Sequence, residues 1–189
     1  MSIPNILTFT RILLIPVFVI TYFLPFEWVN VTTAAIFLVA SLTDWLDGYL
    51  ARILDQSSRL GAFLDPVADK LLVSVALILL VGSYGSILVT LPAAIIISRE
   101  IAISALREWM AEIGRSANVK VNFIGKLKTF FQMIAIILIL SQPVSFSSYI
   151  VWAGLILMYF AVGLTLWSMF MYLKLAWNGA LSTNYNEKI

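Results

Sequence analysis

Neither cysteine nor histidine occurs among the 189 residues of this chain, and only 12% of it is charged. The missing cysteine excludes disulfides, thiolate metal sites and a thiol nucleophile. The missing histidine excludes imidazole-based triads, histidine general bases and His-ligated metal sites. Any chemistry must therefore run on Asp, Glu, Lys, Arg, Tyr, Ser or Thr. The scarcity of charge is as restrictive. Soluble domains carry about 25% charged residues, whereas here 61% of residues are hydrophobic and the mean hydropathy is +0.99. So much apolar surface does not fit inside a water-soluble core. The expectation is an all-α polytopic membrane protein, with residues 1–189 forming one membrane domain.

A spanning helix needs roughly 20 mainly apolar residues to cross a ~30 Å hydrocarbon layer. That ruler predicts six transmembrane helices, near 6–25, 31–53, 61–81, 87–110, 125–141 and 148–174. Pro25 to Asn30 suits an interfacial turn, and Gly82-Ser-Tyr-Gly-Ser86 is a turn cluster inside an uncharged run. Thr129 to Leu173 is 45 residues without a charge. At about 1.5 Å per residue that is roughly twice the hydrocarbon thickness, so it must fold back, near Ser141 to Ser148. The first apolar stretch has neither a basic region before it nor a small-x-small cleavage site before Glu27, so it is expected to remain in place.

Orientation follows from the positive-inside rule. All 12 Lys and Arg residues fall toward one side of this map, and the three opposite loops contain none. Both termini are therefore expected in the cytoplasm. Of the 10 acidic residues, every one but Glu27 shares that side. Acidic residues contribute little to topology, so this second asymmetry points to a use for carboxylates at the cytoplasmic face.

The densest chemistry runs from Thr43 to Arg52 and from Gly61 to Lys70. Asp44 and Asp47 are three apart and project from one face of the second helix. Asp65 and Asp69 are four apart on one face of the third, on the stripe of Gly61. A short loop makes the two helices antiparallel neighbours, so four carboxylates can converge at their cytoplasmic ends. Insertion costs about 2.5–3.5 kcal/mol per Asp at mid-bilayer, less toward the interface, and mutual repulsion adds to it unless cations intervene. Oxygen ligands without His or Cys favour Mg²⁺ or Mn²⁺. Two ions would balance four carboxylates and suit phosphoryl transfer. Gly48, Ala51 and Gly61 are small and would allow a ligand or a second backbone to approach. Solvated helix ends paired with Arg52, Arg59 and Lys70 would explain one Asp beside one Arg better than four at helical spacing. A cation-coupled transporter also places acidic residues in spans, though usually near the midplane beside broken helices.

The pattern Asp44-x2-Asp47-Gly48-x2-Ala51-Arg52-x8-Gly61-x3-Asp65-x3-Asp69 resembles the signature of the CDP-alcohol phosphotransferases at every position. Ile3 through Arg11, Phe63 to Lys70, Arg99 through Trp109, and Gly125-Lys-x-Lys-Thr129 resemble the bacterial branch that uses glycerol 3-phosphate. The resemblance implies a homodimeric six-helix enzyme of the bacterial inner membrane with a cytoplasmic active site. It would transfer the phosphatidyl group of CDP-diacylglycerol to glycerol 3-phosphate and release CMP. It further implies that Asp44, Asp47 and Asp65 ligate metal, and that Asp69 shares the metal and acts as general base. Gly48, Ala51 and Arg52 would line the cytidine-diphosphate site, with Gly61 giving close access. No nucleic-acid partner is expected.

Within that reading, the acceptor phosphate needs cationic donors. The candidates are Arg107, Lys126, Arg99 and Lys128, near the cytoplasmic ends of the fourth and fifth helices. Arg115 and Lys120 are read as topology charges that touch anionic lipid. Inositol phosphate and phosphatidylglycerol stay open as alternative acceptors. Serine, which carries no phosphate, fits the basic pairs poorly.

Overall fold

The computed structural model describes residues 3–53, 59–112 and 123–186, with side chains described except at 3–8, 44–53, 59–63, 65, 66, 107, 111, 123–126, 172 and 175–186. Within this range the chain forms six helices and no strand: α1 (Ile3–Tyr22), α2 (Val29–Ile53), α3 (Arg59–Tyr84), α4 (Ile87–Glu112), α5 (Phe123–Leu140) and α6 (Tyr149–Asn186). Arg115, Lys120 and Lys188 lie outside the described residues.

Each reversal has a local cause. Pro25 offers no amide hydrogen to continue α1. The chain instead tightens through Phe23 N–H to the Ile20 carbonyl and Leu24 N–H to the Thr21 carbonyl, both 3.2 Å. Between α3 and α4 the reversal falls at Gly85, whose φ of 55° lies in the left-handed region that glycine tolerates. Its N–H donates to the Val81 carbonyl at 3.0 Å, closing α3. Ser86 then caps α4, its Oγ accepting from Leu88 N–H at 3.3 Å. Ser148 does the same for α6 through Ile150 N–H, again at 3.3 Å. Pro16 and Pro92 sit inside α1 and α4 without ending them, as membrane helices tolerate.

Most helices differ from the predicted spans by two or three residues at an end, and at α3 and α6 the C-terminal extension has a clear reason. α3 continues past 81 to Tyr84, because Gly85 rather than Gly82 takes the left-handed turn. α6 continues past 174 to Asn186. A lysine marks where a span can leave hydrocarbon, but nothing at Lys174 breaks a helix. Its 38 residues extend about 57 Å at the usual rise, well beyond a bilayer core.

α1 packs on α2 and α3, α2 on α3 and α5, α3 on α4 and α5, and α6 on α4 and α5. The core threads through all six helices, with Phe18, Phe37, Leu77, Ile96, Ile136 and Met158 almost fully buried. α5 and α6 approach closely at Gly154. A Cβ added there would lie 2.6 Å from Ile139 Cγ1 and 3.1 Å from the Ala135 carbonyl oxygen. The outward faces are apolar as well: Leu13, Ile20, Ile78, Ile101, Ile156 and Phe170 are all exposed. Such a continuous apolar exterior suits lipid rather than water. By length and composition, α3, α4 and α6 contain segments able to cross a membrane, while Phe9–Tyr22, Val29–Thr43 and Leu127–Leu140 are shorter apolar segments.

Three turns gather at one end of the bundle. The Tyr22 hydroxyl donates to Ser83 Oγ at 2.6 Å, joining the α1–α2 turn to the end of α3. Tyr84 stacks edge-on against Phe146 of the α5–α6 turn, and Trp152 Nε1 donates to the Phe146 carbonyl at 2.8 Å. The start of α2 and the end of α3 are thus neighbours, so the two helices run antiparallel. The later part of α2, which carries Asp44 and Asp47, and the earlier part of α3, which carries Asp65 and Asp69, therefore share the opposite end.

Candidate active site

Toward that opposite end, α3, α4 and α5 enclose a polar cleft with about 40 Å³ of open space. Each helix contributes one face, following the 3.6-residue period. α3 supplies Asp69, Lys70, Val73 and Ser74; α4 supplies Ile96, Ile97 and Glu100; α5 supplies Thr129, Gln132 and Met133. The cleft lies where the backbones of α4 and α5 stand apart, each helix resting on α3 and α6 instead.

Side chains bridge the gap. Lys128 Nζ on α5 donates to Glu100 Oε1 on α4 at 2.8 Å. Arg99 Nη1 reaches the same oxygen at 2.8 Å. Arg99 Nη2 also donates to Ser168 Oγ on α6 at 2.9 Å, and Ser168 Oγ donates to the Thr165 carbonyl at 2.9 Å. Lys70 Nζ on α3 donates to Ser104 Oγ, which in turn donates to the Glu100 carbonyl at 2.8 Å. The Glu100 carboxylate thus ties α4 to α5 and α6, and its main-chain carbonyl receives the branch from α3. Arg99 and Lys128 are each 5% exposed, and cations so enclosed require a partner. Glu100 supplies it.

Of the expected site residues, Asp69 lines this cleft. Asp44, Asp47, Gly48, Ala51 and Arg52 lie on α2, and Gly61 and Asp65 on α3. Their side chains lie outside the described residues, as do those of Arg107 on α4 and Lys126 on α5. The donor chemistry of the four aspartates suits a hard divalent ion, and the antiparallel packing of α2 on α3 gives them a common end. Among the described residues alone there is no group of three acidic side chains that could hold a metal.

Sequence reasoning missed Glu100, Ser104, Gln132 and Ser168. Glu100 was discoverable as a carboxylate inside an otherwise apolar stretch beside Arg99. Gln132 stands one turn beyond Lys128, a polar pair on one face of an apolar helix. Ser104 and Ser168 carry no signal that separates them from ordinary helix serines.

Comparison with known proteins yields one family. Residues 1–167 match the CDP-alcohol phosphatidyltransferase model. A protein of Escherichia coli K12 is 52% identical over 175 residues, covering 93% of this chain and 94% of that protein. One from Salmonella typhimurium matches with the same identity and coverage. One from Pseudomonas fluorescens is 51% identical over 178 residues, 94% of this chain and 91% of its own length. All three bear the name CDP-diacylglycerol–glycerol-3-phosphate 3-phosphatidyltransferase.

Proposed function

The chain belongs to the CDP-alcohol phosphatidyltransferase family, and from that premise we propose that it transfers the phosphatidyl group of CDP-diacylglycerol to glycerol 3-phosphate. The carrying observation is the identity of about half of all residues, over nearly the whole chain, with relatives named for that reaction. That same identity favours glycerol 3-phosphate over inositol phosphate or phosphatidylglycerol as acceptor.

The acceptor hydroxyl oxygen forms a bond to the phosphatidyl phosphorus, the bond from that phosphorus to the CMP oxygen breaks, and CMP leaves. Asp69, facing the cleft, takes the hydroxyl proton. Asp44, Asp47 and Asp65, with Asp69, would hold Mg²⁺ or Mn²⁺. When bound, such ions neutralise the diphosphate and stabilise the leaving oxygen. Gly48, Ala51 and Gly61 admit the nucleotide, and Arg52 offers it a cation. Arg107 and Lys126 take the acceptor phosphate. Arg99 and Lys128 are the further candidates, both already tied to Glu100.

We read all six helices as spans of one domain, with both termini in the cytoplasm of a bacterium and the site facing inward. The asymmetry of the basic residues supports this orientation, and so does the gathering of three turns without Lys or Arg at the far end of the bundle. The acyl tails then stay in lipid while the headgroups stay wet. A homodimer is the expected assembly.

The test is purified protein with labelled CDP-diacylglycerol and a panel of alcohols, scored by lipid product. Glycerol 3-phosphate should give a phosphorylated glycerolipid and stoichiometric CMP. EDTA should stop the reaction and Mg²⁺ or Mn²⁺ restore it, and Asp44→Ala, Asp47→Ala and Asp65→Ala should each abolish it in protein that still inserts and purifies. CMP release with a different alcohol only would refute the acceptor assignment.

A further inference from the structure

Gln132 is the one buried residue among the polar side chains that line the cleft. It is 4% exposed, it lines the cleft between α3, α4 and α5, and its carboxamide makes no hydrogen bond among the described residues. An enclosed amide normally finds partners for its oxygen and its nitrogen. Gln142 does so in this protein: its Nε2 donates to the Ser141 carbonyl at 3.3 Å and its Oε1 accepts from Ser148 Oγ at 3.0 Å. Charged neighbours in the cleft wall are also satisfied, Lys70 by Ser104 and Glu100 by Arg99 and Lys128. Gln132 therefore brings an unspent donor and an unspent acceptor into a polar space.

We propose that Gln132 is a specificity-determining residue of the transfer, its carboxamide reading the non-reacting 2-hydroxyl of glycerol 3-phosphate in the cleft beside Asp69. The inference rests on the reaction proposed above. A neutral amide suits a neutral hydroxyl, which both donates and accepts. It suits a phosphate less well, because a phosphate accepts from the amide nitrogen but repels the amide oxygen. The space inside the cleft, about 40 Å³, is enough for a small polar group such as a hydroxyl-bearing carbon. The hydroxyl that gives its proton to Asp69 has its neighbour one carbon away, within the same small cleft.

The discriminating acceptor is 3-hydroxypropyl phosphate, which keeps the phosphate and the reacting primary hydroxyl but lacks the 2-hydroxyl. Initial rates are measured on the full-length protein with Mg²⁺, CDP-diacylglycerol and each acceptor in turn. The unchanged protein should favour glycerol 3-phosphate in kcat/KM by about 10-fold or more, since a buried amide left unpaired is costly. Gln132→Met keeps the shape without the polarity, and Gln132→Ala removes the side chain. Either should lose that preference through the glycerol 3-phosphate value alone, with the analogue and the KM for CDP-diacylglycerol unmoved. Equal loss on both acceptors in both variants, as a packing role or failed folding would give, overturns the proposal. So does an undiminished preference, as expected if the amide merely holds a water. Product from both acceptors at equal kcat/KM in the unchanged protein refutes this proposal alone. No lipid product from either refutes the reaction as well.

Discussion

Lys128 on α5 donates to Glu100 on α4 at 2.8 Å across helices whose backbones stand apart among the described residues. The pair holds one wall of the cleft at a fixed distance from the other. Arg99 shares the same carboxylate oxygen and carries the connection to Ser168 on α6. Removing Glu100 would take from two enclosed cations the carboxylate they share.

Glu100→Ala should therefore destabilise the protein by about 3–5 kcal/mol, the usual consequence of stranding a buried charge. Unfolding in detergent reads the effect. Lys128→Met should cost less, because Glu100 keeps Arg99, and the double variant should fall short of the summed losses. Strict additivity would show that the two side chains are not energetically coupled.

Gly154 tests the packing of α5 on α6. Gly154→Leu drives side-chain atoms into Ile139 and the Ala135 backbone, where even a Cβ would lie 2.6 Å and 3.1 Å from existing atoms. Overpacking of this kind costs about 1–3 kcal/mol or more. Gly163→Leu is the control, since nothing lies within 4 Å of a Cβ there. A Tm that falls equally for both would refute the close approach.

The acceptor phosphate separates two pairs of cations. Arg107→Ala and Lys126→Ala should each raise the KM for glycerol 3-phosphate and leave that for CDP-diacylglycerol nearly unchanged. A charge-assisted hydrogen bond is worth about 1.5–3 kcal/mol, so the rise should be roughly 10- to 150-fold. Arg99→Ala and Lys128→Ala should instead show first in stability, because both are tied to Glu100. Equal weakening of both substrates by Arg107→Ala or Lys126→Ala would refute their assignment.

Much of this architecture is legible in the sequence, for reasons that differ by element. Pro25 and the glycine-serine cluster after Val81 mark reversals because they limit or free backbone torsions locally. Helix ends are harder. Lys174 signals the edge of a membrane span, yet α6 runs on to Asn186, since leaving lipid does not require leaving the helix. The aspartate spacing declares itself because four carboxylates in an apolar chain need a compensating charge. Glu100 shows in the sequence only as a lone carboxylate beside Arg99, because its decisive partner Lys128 is 28 residues away on another helix. Gln132 is legible only as a polar residue one turn beyond Lys128; that its amide is left unpaired is revealed by the assembled cleft.

Asp69 is the remaining test of how the cleft works. It stands one helical turn beyond Asp65 on α3 and faces the cleft shared with Glu100 and Gln132, so it sits between the aspartate end of the bundle and the space assigned to the acceptor. Asp69→Asn keeps the shape and an oxygen ligand but removes the basic carboxylate. Turnover should fall by about 10²- to 10⁴-fold, the usual contribution of a general base, while Mg²⁺-dependent binding of CDP-diacylglycerol persists. The two measurements must be made on the same preparation, because each alone is ambiguous. Binding that collapses with turnover would make Asp69 chiefly a metal ligand. Turnover that survives would mean the proton leaves by another route, through water or a phosphate oxygen. Only lost turnover with retained binding fits a carboxylate that accepts the proton of the attacking hydroxyl.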